Sequence, residues 1–407
     1  MPKYDGKEGL DVKEKKRIGN IAINAWFLSV MIFLSAWNAD RFVNMVRSEL
    51  PQMTLGTAKE FIGNWETYYT EYFRHMEPLA EIGGVSYLVL DKWSVDNYSY
   101  MKDGEGNVQL LEDNFDRALA EERMLRISEA FKKRDIPLVY ISLPPRFDKE
   151  DFKVAQEMDF FGQRDERMLA LLSEAGVDTL DAGGALRNAG QRYLYPFKTD
   201  IHLETEGEYE TARLLAEKLS SMGIEIAERE VIFDKSNYTV ASFPFAGNLV
   251  KSSGSTYTWG KDSFELWYPV FETDFTVVNP ERNRIREGSF AESIMNGYDA
   301  PVSLADNPNP YWVTNYLQYP SPFYTIENNK LENGCRLLFI IDSYAMRTVS
   351  FLSLGAKHIT VIDPRGEGSG RSDGKGGAEY LANAIEAGEY DAVIIAAGGW
   401  DFYKSIE

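Results

Sequence analysis

The chain has 407 residues, with 43 Lys and Arg against 63 Asp and Glu, a formal net charge of −20. That length allows roughly two to three domains and a core that needs no covalent staple. An apolar fraction of 44% with 23 Tyr, 23 Phe and 8 Trp excludes a largely disordered chain, and the acidic balance excludes the basic face of a nucleic-acid binder. One cysteine, Cys335, excludes an intrachain disulfide and a cysteine-based zinc cluster. His75, His202 and His358 are the three imidazoles open to any mechanism.

The first element is an apolar span. Asp11 to Arg17 reads DVKEKKR, and Ile18 to Ala39 then runs 22 residues without a charge. As a helix this is about 33 Å long, enough to cross a hydrocarbon core of ~30 Å. Basic residues on its N-terminal side place that end in the cytoplasm. Asn20, Asn24, Ser29, Ser35 and Asn38 interrupt the apolar run. A buried amphipathic helix and a cleavable signal peptide are the alternatives to an uncleaved single-pass anchor.

From Asp40 to about Tyr100 the pattern is helical and aromatic. Trp65, Tyr68, Tyr69, Tyr72 and Phe73 recur at i, i+3, i+4, i+7 and i+8, the spacing of a packing stripe. We therefore expect residues 1–39 to be a cytoplasmic tail and membrane anchor. Residues 40–109 are expected to be a helical stem packed on the main domain, which occupies 110–407.

Beyond residue 110 helix and strand alternate. Helices are expected over Glu112–Arg134, Glu166–Ala175, Thr205–Met222, Met346–Leu354 and Glu379–Ala387. Apolar strands are expected over Ile136–Leu143, Val177–Leu180, Cys335–Ile341, His358–Ile362 and Asp391–Ala397. Thr205 and Glu208 have the spacing of a capping box. Continuous apolar strands between helices imply a parallel sheet covered on both faces. Val240 to Pro280 breaks the alternation, and about 235–330 reads as an inserted β element.

In such a sheet the chemistry collects beyond the C-terminal ends of the strands. Asp342-Ser343-Tyr344 stands there, between an apolar strand and a helix. Ser343 is a candidate nucleophile at a helix N-terminus, and simple capping by Asp342 or Ser343 is the alternative. Lys198-Thr199-Asp200-Ile201-His202 leads into the Thr205 helix. In extended chain residues i and i+2 point the same way, so Asp200 can hold one ring nitrogen of His202 and leave the other free as a base. The alternative is a polar loop histidine. His75 belongs to the stem and His358 begins a strand, at the far end of the sheet from Ser343. That leaves His202 as the imidazole the topology brings to a serine.

Arg365 follows the strand His358–Ile362 at the active end. It is a candidate for holding a sugar or acyl oxygen, with a salt bridge to Asp363 as the alternative. Tyr344, beside Ser343, is a second candidate substrate contact. The glycine-rich stretch Arg365 to Gly377 fails the spacing of a phosphate-binding loop. No metal-ligand spacing is present, so neither metal nor cofactor is expected.

TYYTEYF near residue 70, YMKDGEGNV at 100–108, KTDIHLETEGEY at 198–209, DSFELWYPVFETDFT at 262–276 and LLFIIDSYA with ITVIDPR at 337–365 together resemble the DHHW proteins. These are a bacterial surface branch of the SGNH-hydrolase superfamily, related to the alginate O-acetylation proteins. The family's Asp-His-His-Trp motif stands here as Asp200-Ile201-His202-Leu203, matching at the Asp and the second His. Its serine corresponds to Ser343, and the usual SGNH glycine before the Asp is Ile341.

The resemblance implies an SGNH-like three-layer α/β/α sandwich with a parallel sheet, outside the membrane. It implies acyl handling by Ser343, His202 and Asp200 on an exported polysaccharide or envelope glycan, beside a membrane-bound O-acyltransferase. Three functions follow as expectations: an anchored O-acetyltransferase, a carbohydrate esterase with the same residues, and a non-catalytic glycan-binding or assembly protein.

Overall fold

The structure, a computed structural model, describes residues 117–143, 160–190, 202–245, 262–280, 283–295, 322–365 and 377–397, residues 29, 197, 200 and 402, and short pieces between 84 and 110. The chain divides into two compact units, 1–79 and 80–407. Apart from Ser29, the expected anchor and the aromatic stripe of the stem lie outside the described residues. Among the described residues no helix is long and apolar enough to cross a membrane.

In the second unit, after the helical residues 84–87, come β1 (Ser94–Val95), β2 (Tyr100–Lys102) and β3 (Val108–Leu110), a small antiparallel sheet of its own. The expected stem therefore ends in strands rather than helix. Then come α1 (Arg117–Lys132), β4 (Leu138–Ser142), α2 (Phe160–Glu174), β5 (Asp178–Asp181), α3 (Ala182–Asn188) and α4 (Thr205–Ser221). Next are the strands β6 (Tyr238–Phe245), β7 (Asp262–Pro269), β8 (Phe275–Asn279), β9 (Arg284–Gly288) and β10 (Phe323–Asn328). The chain closes with β11 (Arg336–Ile341), α5 (Met346–Ser353), β12 (His358–Ile362), α6 (Gly377–Ala387) and β13 (Ala392–Ala396).

The main sheet has eight strands in the order β5-β4-β13-β11-β12-β10-β8-β9. The first five are parallel. Strands β4 and β13 are buried along their whole length, and β11 beyond its first residue, as strands covered on both faces must be. Alternation assigns each residue to a face. Val139, Ile141, Leu337, Phe339, Ile341, Ile394 and Ala396 pack with Ala212 and Leu215 of α4 and Val349 and Leu352 of α5. Tyr140, Leu338, Ile340, Val393 and Ile395 pack on the other side with Met124 and Phe131 of α1, Leu172 of α2 and Leu381 of α6. These two cores make the three layers expected from the sequence.

The expected inserted β element divides in two. Strands β6 and β7 form a separate antiparallel pair. Strands β10, β8 and β9 instead join the main sheet, antiparallel, beyond β12. The sheet is thus mostly parallel rather than wholly so, and its extension shields β12 from being an open edge.

Candidate active site

Strand β11 delivers the serine. Its last residue, Ile341, is followed by Asp342 in extended conformation, whose carboxylate accepts the Tyr344 backbone N–H at 2.9 Å. Asp342 thereby caps the 3₁₀ turn Ser343–Ala345 that leads into α5. Capping falls to the aspartate, and the Ser343 hydroxyl is engaged elsewhere: its Oγ lies 3.0 Å from His202 Nε2.

The imidazole is fixed from its own loop. Asp200 Oδ1 accepts the His202 backbone N–H at 3.0 Å and meets ring Nδ1 at 2.5 Å. The Phe197 N–H donates to the His202 carbonyl at 3.2 Å. Asp200 is 1% exposed and His202 7%, so the pair is shielded from water that would weaken it. An acceptor carboxylate at Nδ1 assigns the ring proton there, which leaves the Nε2 lone pair for the Ser343 hydroxyl to donate to. The ring of Tyr344 lies 5.2 Å from that of His202, tilted by 37°, so Tyr344 borders the base.

The structure therefore brings Ser343, His202, Asp200 and Tyr344 together. Arg365 is placed differently: its Nε and Nη2 donate to Asp363 at 2.9 and 2.7 Å. This is the salt bridge set as the alternative to substrate binding. His358 pairs with Glu327 at the start of β12, in register with Arg336 at the start of β11, at the end of the sheet away from Ser343. His75 lies outside the described residues.

The expected capping box at Thr205 is absent. Glu204 is the N-cap without a side-chain bond. Thr205 Oγ1 donates instead to the Glu265 carbonyl at 2.6 Å, tying α4 to β7. Glu208 is buried and pairs with Arg347 at 2.7 Å. Burial raises the Glu208 carboxyl, and the Arg347 charge opposes that rise. Glu204 itself is pushed up to about 8, first by burial and then by the neighbouring charges of Asp262, Glu265 and Glu206.

Sequence reasoning missed the Glu208–Arg347 pair. A signal for it exists: Arg347 is the one charged residue between Ser343 and Ala356, and a lone charge in an apolar helix demands a buried partner. Among the described residues no cluster of three or more His, Cys, Asp or Glu is arranged to hold a metal ion.

Residues 107–256 match the family described as SGNH hydrolase-like domain, acetyltransferase AlgX. The match contains Asp200 and His202, whereas Ser343 lies beyond it. No curated protein matches the chain significantly. Among solved structures the chain is similar to a DHHW family protein from Eubacterium siraeum, with a TM-score of 0.51 at 16% identity over 74% of this chain and 91% of that one. It is also similar to Bacillus cereus PatB1, solved with a sulfonyl adduct, with a TM-score of 0.54 at 15% identity over 75% of this chain and 99% of that one. Fold and matched domain agree with the resemblance read from the sequence: the chain is similar to the DHHW and AlgX-like proteins of the SGNH-hydrolase type.

Proposed function

We propose that the protein is a serine O-acetyltransferase acting on an exported polysaccharide or cell-envelope glycan. The observation that carries this reading is the position of His202, with Nε2 3.0 Å from Ser343 Oγ and Nδ1 2.5 Å from Asp200. The matched domain, described through the acetyltransferase AlgX, supports acyl transfer over other serine chemistry.

In this reading Ser343 Oγ attacks the acyl carbonyl while His202 Nε2 takes the hydroxyl proton. His202 then gives that proton to the leaving alcohol oxygen, and an acyl-serine remains. A sugar hydroxyl attacks this ester, passing its proton to His202, and Ser343 leaves as the alkoxide that His202 reprotonates. Asp200 keeps Nδ1–H oriented and offsets the positive charge that develops on the ring. Tyr344 borders the base, where an acyl group or sugar would lie, and Arg365 would reach a substrate by exchanging its contact with Asp363.

The uncharged span from Ile18 to Ala39 after a basic segment supports single-pass anchoring with residue 60 onward outside the cytoplasm. A membrane-bound O-acyltransferase is the acyl supplier proposed for that setting. An acceptor assay tests the enzymatic reading. With an aryl acetate as donor, adding the acceptor glycan should speed acyl release and yield acetylated sugar. Free acetate as sole product, indifferent to every acceptor, would instead make the protein an esterase. A reporter fused after residue 60 should be active outside the cytoplasm, and protease protection of the C-terminus in intact cells would overturn the anchoring.

A further inference from the structure

We infer that Arg347 and Glu208 are positioning residues that hold His202 against Ser343. The inference rests on the reading of Ser343 as the nucleophile. Arg347 lies four residues beyond Ser343 in the first turn of α5 and is 2% exposed. Its Nη2 donates a short hydrogen bond to the carbonyl of Leu203, the residue that follows His202. The same nitrogen pairs with Glu208 Oε1 at 2.7 Å. The other Glu208 oxygen accepts the Thr348 N–H at 2.9 Å, and Thr348 Oγ1 donates to the Glu208 carbonyl at 3.3 Å. The guanidinium also lies over Phe197 and Phe264, 5.9 and 5.8 Å from their ring centres.

Consider what these contacts join. Ser343 and α5 form one continuous piece of chain. His202, Leu203 and α4 form another, and Phe197 belongs to the loop that grips the His202 carbonyl. Arg347 crosses between the pieces at the peptide next to the imidazole. Asp200 sets the imidazole only within its own loop, since it sits on the same piece of chain. The distance from Nε2 to Oγ is set between the pieces, and the Arg347–Glu208 bridge spans them directly.

A bridge present for stability alone would not need to end on the backbone carbonyl beside the base. Buried ion pairs are often replaceable by apolar side chains of similar volume without loss of stability. Such a replacement here keeps the packing and deletes the hydrogen bond to Leu203, together with the one that Glu208 accepts from the Thr348 N–H. A misplacement of about 1 Å at a reacting pair costs up to ~100-fold in rate, so the variant should fold yet turn over slowly.

The test uses the full chain and three variants: R347M/E208L, R347K and S343A. Thermal unfolding reports the fold. Steady-state hydrolysis of an aryl acetate gives kcat and KM, and a sulfonyl fluoride measures the reactivity of Ser343. The double variant should still unfold cooperatively, at a temperature lowered by the two backbone groups it leaves unpaired, lose about 10- to 100-fold in kcat and keep KM within about twofold, since it removes no group that touches substrate. Its labelling should slow in parallel with kcat. R347K keeps the charge but replaces the planar guanidinium that lies over Phe197 and Phe264 with a compact ammonium on a differently shaped stem, and its kcat should fall between the two. R347K also keeps the test open should the double variant not fold. A folded variant with wild-type kcat and labelling rate would overturn the inference. If wild type is labelled no faster than S343A, the reading of Ser343 as nucleophile has failed instead.

Discussion

One oxygen of Asp200 serves His202 twice, accepting its backbone N–H and meeting its ring Nδ1. Backbone and imidazole are thereby locked as a unit, because moving either would break a bond to the same atom. The i and i+2 spacing read from the sequence makes this geometry available, and burial of both residues makes it strong.

That double contact separates the roles of the three residues. Asp200→Asn keeps an acceptor oxygen for the backbone N–H but forces a choice at the ring. Either Nδ1–H loses its anionic partner or the amide N–H faces Nδ1 and puts the ring proton on Nε2. Acyl release from an aryl acetate should fall about 10³- to 10⁴-fold, and Ser343→Ala and His202→Ala should fall further, to a similar floor. Thermal unfolding should show Ser343→Ala folded. Undiminished turnover in Ser343→Ala would remove the proposed nucleophile.

Glu204 gives the protein a pH signature. Its folded carboxyl titrates at about 8 against an ordinary value of 4.5, with burial the largest cause. Below pH 4.5 both folded and unfolded chains hold this proton, and Glu204 costs nothing. Between those two values the unfolded chain releases the proton and the folded chain keeps it, so stability falls as pH rises and levels off above about 8. With solvent screening of a partly exposed group, the loss should be about 1–3 kcal/mol. Glu204→Gln should melt with wild type near pH 4 and above it near pH 9. Parallel melting curves at both pH values would contradict the raised carboxyl.

Gly377, the first residue of α6, is a site of close backbone approach. A Cβ there would lie 2.3 Å from the Asp363 carbonyl oxygen and 2.6 Å from Pro364 Cα. Both are backbone atoms, so the chain itself must move. Gly377→Ala should destabilise by about 1–3 kcal/mol, the usual cost of overpacking. It should also disturb the turn from which Arg365 meets Asp363. Calorimetry reads the first effect, and a neutral substitution would mean that α6 has room to shift.

The parallel half of the sheet was legible because its strands are apolar without interruption, as in the run Leu337 to Ile341. The antiparallel half was not assigned to it. Strands β8 and β10 alternate buried and half-buried residues, a pattern that marks a strand but not the sheet it joins. That Ser343, His202 and Asp200 come together was legible from spacing and from the scarcity of histidine. Thr205 and Glu208 were misread because the capping spacing is a local signal, whereas Glu208 pairs with Arg347, 139 residues away by number (347 − 208). Arg347 went unnoticed because a charge in a helix ordinarily faces water.

His202 and Ser343 are 141 residues apart in the chain, and the described residues between them supply six strands, four of them in the main sheet. This pair therefore does not exist in any nascent chain shorter than 343 residues, whatever part of it has already condensed. Contacts of such long range form late in folding, since the intervening loop must be closed first. Under the proposed function, turnover would therefore act as a clock on maturation. During refolding, turnover should return with the slowest cooperative phase, after the fluorescence and helix signals of local structure have recovered. With Ser343 as the proposed nucleophile, a chain still being synthesised would carry no acyl chemistry that could act on the wrong alcohol.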